Sequence, residues 1–256
     1  MIDLYRFKKL EDETGCIHGV TMKREGALCS FSQALHTGES EEDILSNREA
    51  VAAHFQVRMP LYFVLADQTH SDNIHLVTAK ETKGWESLES AIADCDALVT
   101  DQKGVMLGVL TADCVPILIY DPVRGVVAAV HAGWRGTKAQ IAAKTVGKMQ
   151  EVYGCDPADI IAGIAPAIGQ CCYEVGEEVA KHFFDMPKGY IPRGEKYMLD
   201  LPFINKTQLM GAGLKEEHIE LSGICTACEI ERFFSYRKEQ GCSGRFMSLI
   251  GIMNNE

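Results

Sequence analysis

Three residues of this sequence have the side chains of a metal centre: His70, Cys114 and His131. One thiolate and two imidazoles are donors that Zn²⁺ prefers in proteins. Three protein ligands, rather than four, leave one coordination position for water or a substrate, as in catalytic zinc sites. The residue types therefore predict an open, catalytic metal centre, although the wide spacing of His70 and Cys114 matches no short metal motif.

The segments around these residues are more specific than their spacing. Five blocks carry the information: residues 111–118 (TADCVPIL), 127–137 (VAAVHAGWRGT), 164–176 (IAPAIGQCCYEVG), 233–237 (FFSYR) and 243–245 (SGR). Together they resemble the signature of the YfiH-like family, long described as laccase-domain or polyphenol-oxidase-like proteins. The resemblance spans about residues 60–250, which is nearly the whole chain.

The resemblance implies a function as well as a fold. In that family the histidine, cysteine and histidine at the positions of His70, Cys114 and His131 bind zinc, and members act on purine nucleosides. It implies phosphorolysis of adenosine, inosine and methylthioadenosine, together with deamination of adenosine. It also implies a layered α/β sandwich, and copper is a possible replacement for zinc in vitro.

The N-terminal part departs from the family pattern. Relatives carry a Gly-rich, Ser-Thr-Arg-like segment and then a Leu-Asn-Leu-Gly-like turn, where this chain has residues 21–26 (TMKREG) and 35–38 (LHTG). Because that segment helps to wall the substrate pocket in relatives, the departure bears on substrate preference more than on the metal. The following Asn47-Arg48 pair matches the family.

A mechanism follows as a hypothesis. Zinc at the three ligands would lower the pKa of a bound water, giving a hydroxide that attacks C6 of adenosine and displaces ammonia. Asp113, next to Cys114, is a candidate proton carrier; supporting a ligand or a turn is an equally open role. In phosphorolysis, phosphate would attack the ribose C1′. Its charge would be neutralised by Arg48, by Arg135, or by the backbone between Gly133 and Gly136.

Two rival functions use the same residues. The family's older name implies copper-dependent phenol oxidation, but the eight histidines include no His-X-His pair of the kind that multicopper oxidases need. The second rival is a metal-free cysteine amidohydrolase or deamidase, with Cys114 as nucleophile and His131 as base. Stoichiometric zinc would favour the nucleoside enzyme over both rivals.

The other cysteines suggest no second metal site by their spacing. Cys225 and Cys228 form a lone CxxC, and neighbouring Cys171 and Cys172 cannot easily both ligate one ion, so buried structural packing is the favoured interpretation. The N-terminus shows no apolar signal region. Ten cysteines alone would suggest secretion, but the lack of a signal region predicts a cytoplasmic protein with reduced cysteines.

Composition excludes several classes of protein. A formal charge of −11 argues against nucleic-acid binding, which needs a basic patch. The longest apolar stretch, residues 105–120, is interrupted by Thr111, Asp113 and Pro116 and is a poor membrane span. With 256 residues, 46% of them hydrophobic, and no linker or repeat, the chain is expected to form a single domain over residues 1–256.

The predicted elements must bring the ligands together. Seven short aliphatic runs predict buried strands, at residues 61–66, 74–78, 97–100, 105–110, 115–120, 126–131 and 160–164. Helices are expected at residues 40–54, 177–184 and 201–211, and after a capping box at Thr137. The pattern is mixed α/β with mixed pairing of strands. Cys114 would lie in a turn and His131 at a strand end, facing one cleft. Gly133 and Gly136, with positive φ angles, would help the following helix to form an anion site.

Overall fold

A computed structural model of the chain describes residues 2–55, 60–241 and 244–253. In chain order, the elements within these ranges are β1 (Leu4–Tyr5), α1 (Lys8–Glu11), β2 (Cys16–Thr21), α2 (Glu41–Phe55), β3 (Tyr62–Leu65), β4 (Ile74–Leu76), β5 (Ala97–Thr100), β6 (Val105–Thr111), β7 (Val115–Asp121), β8 (Val126–Ala132), α3 (Trp134–Lys138), α4 (Ile141–Tyr153), β9 (Ile161–Ile164), β10 (Glu174–Val175), α5 (Glu177–Ala180), β11 (Tyr190–Arg193), β12 (Lys196–Leu199), α6 (Leu201–Gly211), β13 (Ile219–Leu221) and β14 (Phe246–Ile252).

These strands form three sheets. A five-stranded sheet has the order β1-β2-β14-β6-β3, and a six-stranded sheet has the order β13-β9-β7-β8-β5-β4. Both are mixed, because β3 pairs with β6 in parallel and β4 and β13 lie parallel to their neighbours, whereas the other pairs are antiparallel. A small antiparallel sheet, β10-β12-β11, completes the fold.

The two large sheets pack face to face between helices. Buried side chains of one core cluster, including Leu107, Val109, Leu118 and Ala129, come from both sheets. A second cluster joins the outer face of the six-stranded sheet to α4 and α6, and a third joins the outer face of the five-stranded sheet to α2. The predicted mixed α/β class and layered sandwich are therefore confirmed.

Strand periodicity explains how one sequence serves two layers. In β7, Ile117 and Ile119 belong to the cluster with the helices, whereas Leu118 and Tyr120 belong to the cluster between the sheets. Because successive side chains of a strand point to opposite faces, a continuous apolar run is what a strand covered on both sides requires. The seven aliphatic runs identified in the sequence all contain strands.

The helix starts were predicted with mixed success. Ser40 precedes α2, and its hydroxyl accepts a bond from the Asp43 N–H at 3.4 Å, as the capping pattern predicts. The prediction that Thr137 caps a helix is wrong, because Thr137 lies inside α3 and its hydroxyl accepts a bond from Asn205 Nδ2 at 2.9 Å. The long helix, α4, instead starts after Gln140, whose φ is 60°. No helix among the described residues is long and apolar enough to cross a membrane.

Candidate active site

The hairpin of β7 and β8 places two of the predicted metal ligands side by side. Val115 pairs with Ala132 in the antiparallel register. Cys114, just before β7, therefore lies opposite Gly133, just after β8, and His131 lies two residues before Gly133, paired with Pro116. His131 is buried, whereas Cys114 is half-buried at the edge of a pocket.

Asp96 fixes the orientation of His131. Because Ala97 pairs with Val130, Asp96 lies beside His131 at the end of the six-stranded sheet. The His131 Nδ1 and Asp96 Oδ1 are 2.7 Å apart, so the imidazole donates from Nδ1 and leaves Nε2 available to a metal. Burial raises the pKa of the Asp96 carboxyl. The His131 imidazole and the hydrogen bonds from Ser71 together outweigh burial and lower this pKa below its usual value.

The same carboxylate positions His70. Asp96 accepts hydrogen bonds from the backbone N–H groups of Thr69 at 3.3 Å, His70 at 3.1 Å and Ser71 at 2.7 Å. His70 has a φ of 62°, a left-handed conformation that a non-glycine residue rarely adopts. One buried carboxylate thus supports the loop of the first histidine and the ring of the second. Sequence reasoning missed Asp96; its only signal was an acidic residue directly before a predicted buried strand.

The three predicted ligands come together. The donor atoms of His70, Cys114 and His131 all lie within 4.8 Å of one another. Cys114 Sγ is 3.7 Å from His70 Nε2. A tetrahedral zinc ion separates a sulfur and a nitrogen ligand by about 3.5 Å, given its usual bond lengths. The chemistry and the spacing of the donors therefore fit zinc.

Gly133 contributes space rather than a special backbone conformation. The predicted positive φ at Gly133 and Gly136 is wrong: Gly133 has a φ of −69°, and Gly136 is not among the positive-φ glycines. A Cβ at Gly133, however, would lie 2.8 Å from His70 Cδ2 and 3.1 Å from Cys114 Sγ. The absence of a side chain is what allows two ligands to pack against the chain at this point.

The ligands polarise one another. Burial raises the pKa of Cys114, but the His131 and His70 imidazoles lower it more, to about 6. Burial lowers the pKa of His131, but the Cys114 sulfur and the Asp96 carboxylate raise it to about 9. The sulfur is therefore readily a thiolate at neutral pH, which is the form that binds a metal and also the form that acts as a nucleophile.

Asp113 is occupied by structural contacts. It is buried, and its φ is 88°. Its Oδ1 accepts a hydrogen bond from the Thr226 hydroxyl at 2.7 Å, and its Oδ2 accepts one from the backbone N–H of Arg237 at 2.7 Å. These contacts favour support of the turn that carries Cys114 over transport of a proton.

A pocket of about 790 Å³ opens over the three ligands. Its polar and aromatic lining includes His36, Gln68, Trp134, Tyr173, Tyr236, Arg237 and Arg245. The volume lies within the range of pockets that enclose small molecules. His36 comes from the N-terminal segment that departs from the family pattern, so this departure reaches the pocket wall.

The predicted phosphate ligands take different positions. Arg48 lines the pocket but is buried; its guanidinium donates hydrogen bonds to the carbonyls of Gln33, Gly84 and Trp85. Arg135 is exposed, and its guanidinium lies 4.6 Å from the centre of the Trp134 ring. The Arg48 guanidinium is thus occupied by backbone carbonyls, and the Arg135 guanidinium stacks on Trp134 instead of lining the pocket.

Two other arginines line the pocket directly. Arg237 donates a bond to the Glu174 carbonyl at 2.7 Å and lies over the Tyr173 ring. Arg245 donates a bond to the Gly244 carbonyl at 2.9 Å and lies over the Tyr236 ring. Both belong to the blocks that resemble the family, residues 233–237 and 243–245; Arg237 is one of the isolated basic residues of the sequence, and no sequence signal indicated a role for Arg245.

The interpretation of four other cysteines as buried packing is wrong. Cys171 and Cys228 are exposed, Cys172 and Cys225 are half-buried, and the four sulfur atoms lie within 4.8 Å of one another. The sequence could not show this group, because it depends on which strands become neighbours.

Comparison with known proteins identifies the family. Residues 17–253 match the family described as multi-copper polyphenol oxidoreductase laccase. The chain belongs to this family. The solved structure of the Bacillus licheniformis hypothetical protein YfiH is similar to this chain, with a TM-score of 0.91 at 36% identity, covering 99% of this chain and 97% of that one.

Relatives of this laccase-family chain carry enzyme names. Purine nucleoside phosphorylase YlmD of Bacillus subtilis (strain 168) is 37% identical over 246 residues, which are 92% of this chain and 88% of the relative. A relative named an adenosine deaminase, from an unknown prokaryotic organism, is 35% identical over 225 residues, which are 85% of this chain and 83% of the relative. The family resemblance inferred from the sequence is confirmed.

Proposed function

We propose that this protein is a zinc-dependent purine nucleoside phosphorylase that also deaminates adenosine. The observation that carries the proposal is the group of His70, Cys114 and His131 in the floor of a pocket large enough for a nucleoside. The names of the relatives support both reactions, since one is named a phosphorylase and another a deaminase.

The chain's own residues supply the geometry of the site. Asp96 orients His131 and holds the loop of His70, so the donors converge before any ion binds. Zinc, when bound at such a three-ligand site, supplies a Lewis acid at its open position. The rings of Tyr173 and Trp134 line the same pocket and offer flat surfaces for a purine.

The phosphate site is proposed at Arg237 and Arg245. In phosphorolysis, a phosphate oxygen forms a bond to the ribose C1′ while the bond from C1′ to the purine nitrogen breaks, and the bonding pair leaves with the base. The attacking anion needs positive charge nearby. Arg237 and Arg245 line the pocket that holds the three predicted ligands. Arg48 lines it as well, but its side chain is buried and its guanidinium donates to backbone carbonyls. Exposed Arg135 remains a second candidate at the Trp134 side of the pocket.

The rest of the proposal concerns surroundings and metal. A cytoplasmic location suits a site that depends on a free thiolate, and the nine described cysteines are all unpaired. Copper-dependent phenol oxidation has less support, because the described residues contain a single histidine-bearing group able to hold an ion. Substrates such as inosine and methylthioadenosine belong to the proposal alongside adenosine.

Product analysis tests the two reactions together. Purified zinc-loaded protein is incubated with adenosine, with and without phosphate, and the products are separated by chromatography. We expect adenine and ribose 1-phosphate only when phosphate is present, and inosine in both cases. Absence of all three products would refute the proposal.

In the same assay, Arg245→Gln should raise the phosphate KM several-fold while inosine formation without phosphate persists, because deamination uses water.

A metal-free cysteine hydrolase is the second candidate function, because the positions of Cys114 and His131 suit it as well. Without a metal, Cys114 and His131 have the arrangement of a thiolate and its imidazole partner in a cysteine hydrolase. The reactivity of Cys114 in the metal-loaded protein separates the two functions.

A further inference from the structure

A second group of metal-binding side chains lies outside the active site. Cys171 Sγ is 3.6 Å from Cys228 Sγ, and Cys172 Sγ is 3.5 Å from the same atom. All four sulfurs, including that of Cys225, lie within 4.8 Å of one another. Four thiolates around one zinc ion, with zinc–sulfur bonds of about 2.3 Å, are separated by about 3.8 Å. The cluster already has nearly the size of a tetrathiolate site.

Sheet topology explains why four cysteines distant in sequence meet. Strands β9 and β13 are parallel neighbours, so their carboxyl ends lie at the same edge of the six-stranded sheet. The loop after β9 carries Cys171 and Cys172, and the loop after β13 carries Cys225 and Cys228. A further parallel bridge joins Ala167 to Cys225 and extends the pairing of the two loops.

The backbone of both loops is folded around the sulfurs. The Gly169 N–H donates to Cys225 Sγ at 3.2 Å, a contact that stabilises a thiolate. In the second loop, the N–H groups of Cys228 and Glu229 both bond to the Cys225 carbonyl, at 3.1 Å and 2.9 Å, which forms a tight turn between the two cysteines. In the first loop, the Cys172 N–H bonds to the Gly169 carbonyl at 3.0 Å, so adjacent Cys171 and Cys172 can both approach Cys228.

Two of the four clustered thiols are held in the neutral form by their surroundings. Burial and the neighbouring sulfurs raise the pKa of Cys171, and burial and Cys228 raise that of Cys172. Burial raises the pKa of Cys225, but the hydrogen bonds from the backbone N–H groups of Gly169 and Cys228 lower it below the ordinary value. A divalent cation would compensate the negative charge of four thiolates, and its binding would release their protons.

We propose that Cys171, Cys172, Cys225 and Cys228 form a second, closed metal site that binds one Zn²⁺ as a tetrathiolate and clamps the two loops together. Four sulfur ligands leave no open coordination position, which is typical of structural rather than catalytic zinc. The exposure of Cys171 and Cys228 gives the ion a route from solvent.

The clamp would act on the walls of the active-site pocket. Tyr173, which lines the pocket, directly follows Cys172. Thr226, which directly follows Cys225, donates its hydroxyl to Asp113, the neighbour of Cys114. An ion at the four cysteines would therefore fix two loops that position a pocket wall and the turn of an active-site ligand. This proposal does not depend on the reaction catalysed.

Metal stoichiometry tests the proposal on the full chain. The protein is saturated with zinc under reducing conditions and desalted. Zinc is then measured by inductively coupled plasma mass spectrometry and divided by the protein concentration. We expect two zinc ions per chain in the wild type and one in the double variant Cys171→Ser/Cys228→Ser. Cys114→Ser should also retain one ion, at the other site, and Cys29→Ser, which alters a cysteine outside both groups, should retain two.

Two further measurements need no variant. Protein loaded with Co²⁺ should show the intense sulfur-to-cobalt charge-transfer absorption of a tetrathiolate, and Cys171 and Cys228 should resist iodoacetamide until a chelator is added. A single zinc per chain that the double variant Cys171→Ser/Cys228→Ser retains would overturn the proposal, because that ion lies at the other group, as would rapid labelling of both exposed cysteines in the loaded protein. A disulfide between Cys172 and Cys228 in the protein as purified under reducing conditions would also overturn it. Loss of active-site zinc alone would instead contradict the proposed function.

Discussion

Asp96 is the residue that most directly positions the predicted metal ligands. It bonds to the ring of His131 and to the backbone of the loop that carries His70, so two of the three ligands share one support. Sequence reasoning predicted the three ligands from their donor types and surrounding motifs, and the structure brings these residues together. It missed Asp96, because the contact depends on the register between β5 and β8.

Asp96→Asn tests this support. An amide can keep the shape of the carboxylate but loses its charge, so the His131 tautomer and ligand basicity are no longer fixed. We expect zinc affinity to fall roughly 10- to 100-fold, as for other residues that hold metal ligands. Competition with a chromophoric chelator measures the affinity. Asp94→Asn is the matched control, since Asp94 bonds to Thr69 and Asn73 side chains rather than to a ligand; equal losses in both variants would contradict the assignment.

The substitution Gly133→Ala tests whether the predicted ligands need the space beside Gly133. A methyl group there would lie 2.8 Å from His70 Cδ2, so Gly133→Ala should displace the ligands and lose most bound zinc while the chain stays folded. Gly147→Ala, in α4, is the control, because a Cβ at that position meets nothing within 4 Å. Metal analysis and circular dichroism measure the two effects. Full zinc occupancy in Gly133→Ala would show that the close approach is unimportant.

At the scale of elements, apolar runs predicted strands well where both faces are covered. The runs that became β5 to β8 are continuous and fully buried. Strands β2 and β14 were missed, although β14 is central in its sheet, because His18, Gly19, Ser248 and Gly251 interrupt their patterns. The capping box at Thr137 misled because the chain turns into α3 directly after Gly133.

Arg48 joins elements that the sequence does not show to be neighbours. Its guanidinium bonds to the Gln33 carbonyl and to the carbonyls of Gly84 and Trp85, which ties α2 to two separate loops. Burial lowers its pKa to about 10, so it stays charged at neutral pH.

Arg48→Gln should therefore act on stability. We expect the free energy of unfolding to fall by about 2–4 kcal/mol, since buried carbonyls lose charged donors. Urea denaturation measures the change. Arg193→Gln, at an exposed position, should change stability by less than about 0.5 kcal/mol. Unchanged stability in Arg48→Gln, with a raised phosphate KM, would instead support the phosphate role predicted from the sequence.

At the scale of the whole molecule, the two large sheets and the helices on their outer faces bring distant loops to one pocket. The net charge of −11 gives no sign of an anionic substrate, yet Arg237 and Arg245 line the pocket. The pattern of aliphatic runs and helix signals predicted the class of fold, because sheets covered on both faces require many aliphatic strands. This pattern could not predict the pocket wall or the four-cysteine group, since both form only when the sheet edges assemble.

The reactivity of Cys114 tests the central claim, that this thiolate is a zinc ligand and not a nucleophile. A thiolate bound to zinc has its charge engaged by the ion, so it should react slowly with iodoacetamide until a chelator removes the metal. The measurement is the rate of Cys114 labelling, followed by peptide mass spectrometry in zinc-loaded and chelated protein, together with nucleoside phosphorolysis. We predict protection of Cys114 that is lost on chelation, with activity that added zinc restores before alkylation but not after it. Rapid labelling of Cys114 in the zinc-loaded protein, or a covalent acyl adduct on its sulfur, would contradict the account and favour a cysteine amidohydrolase.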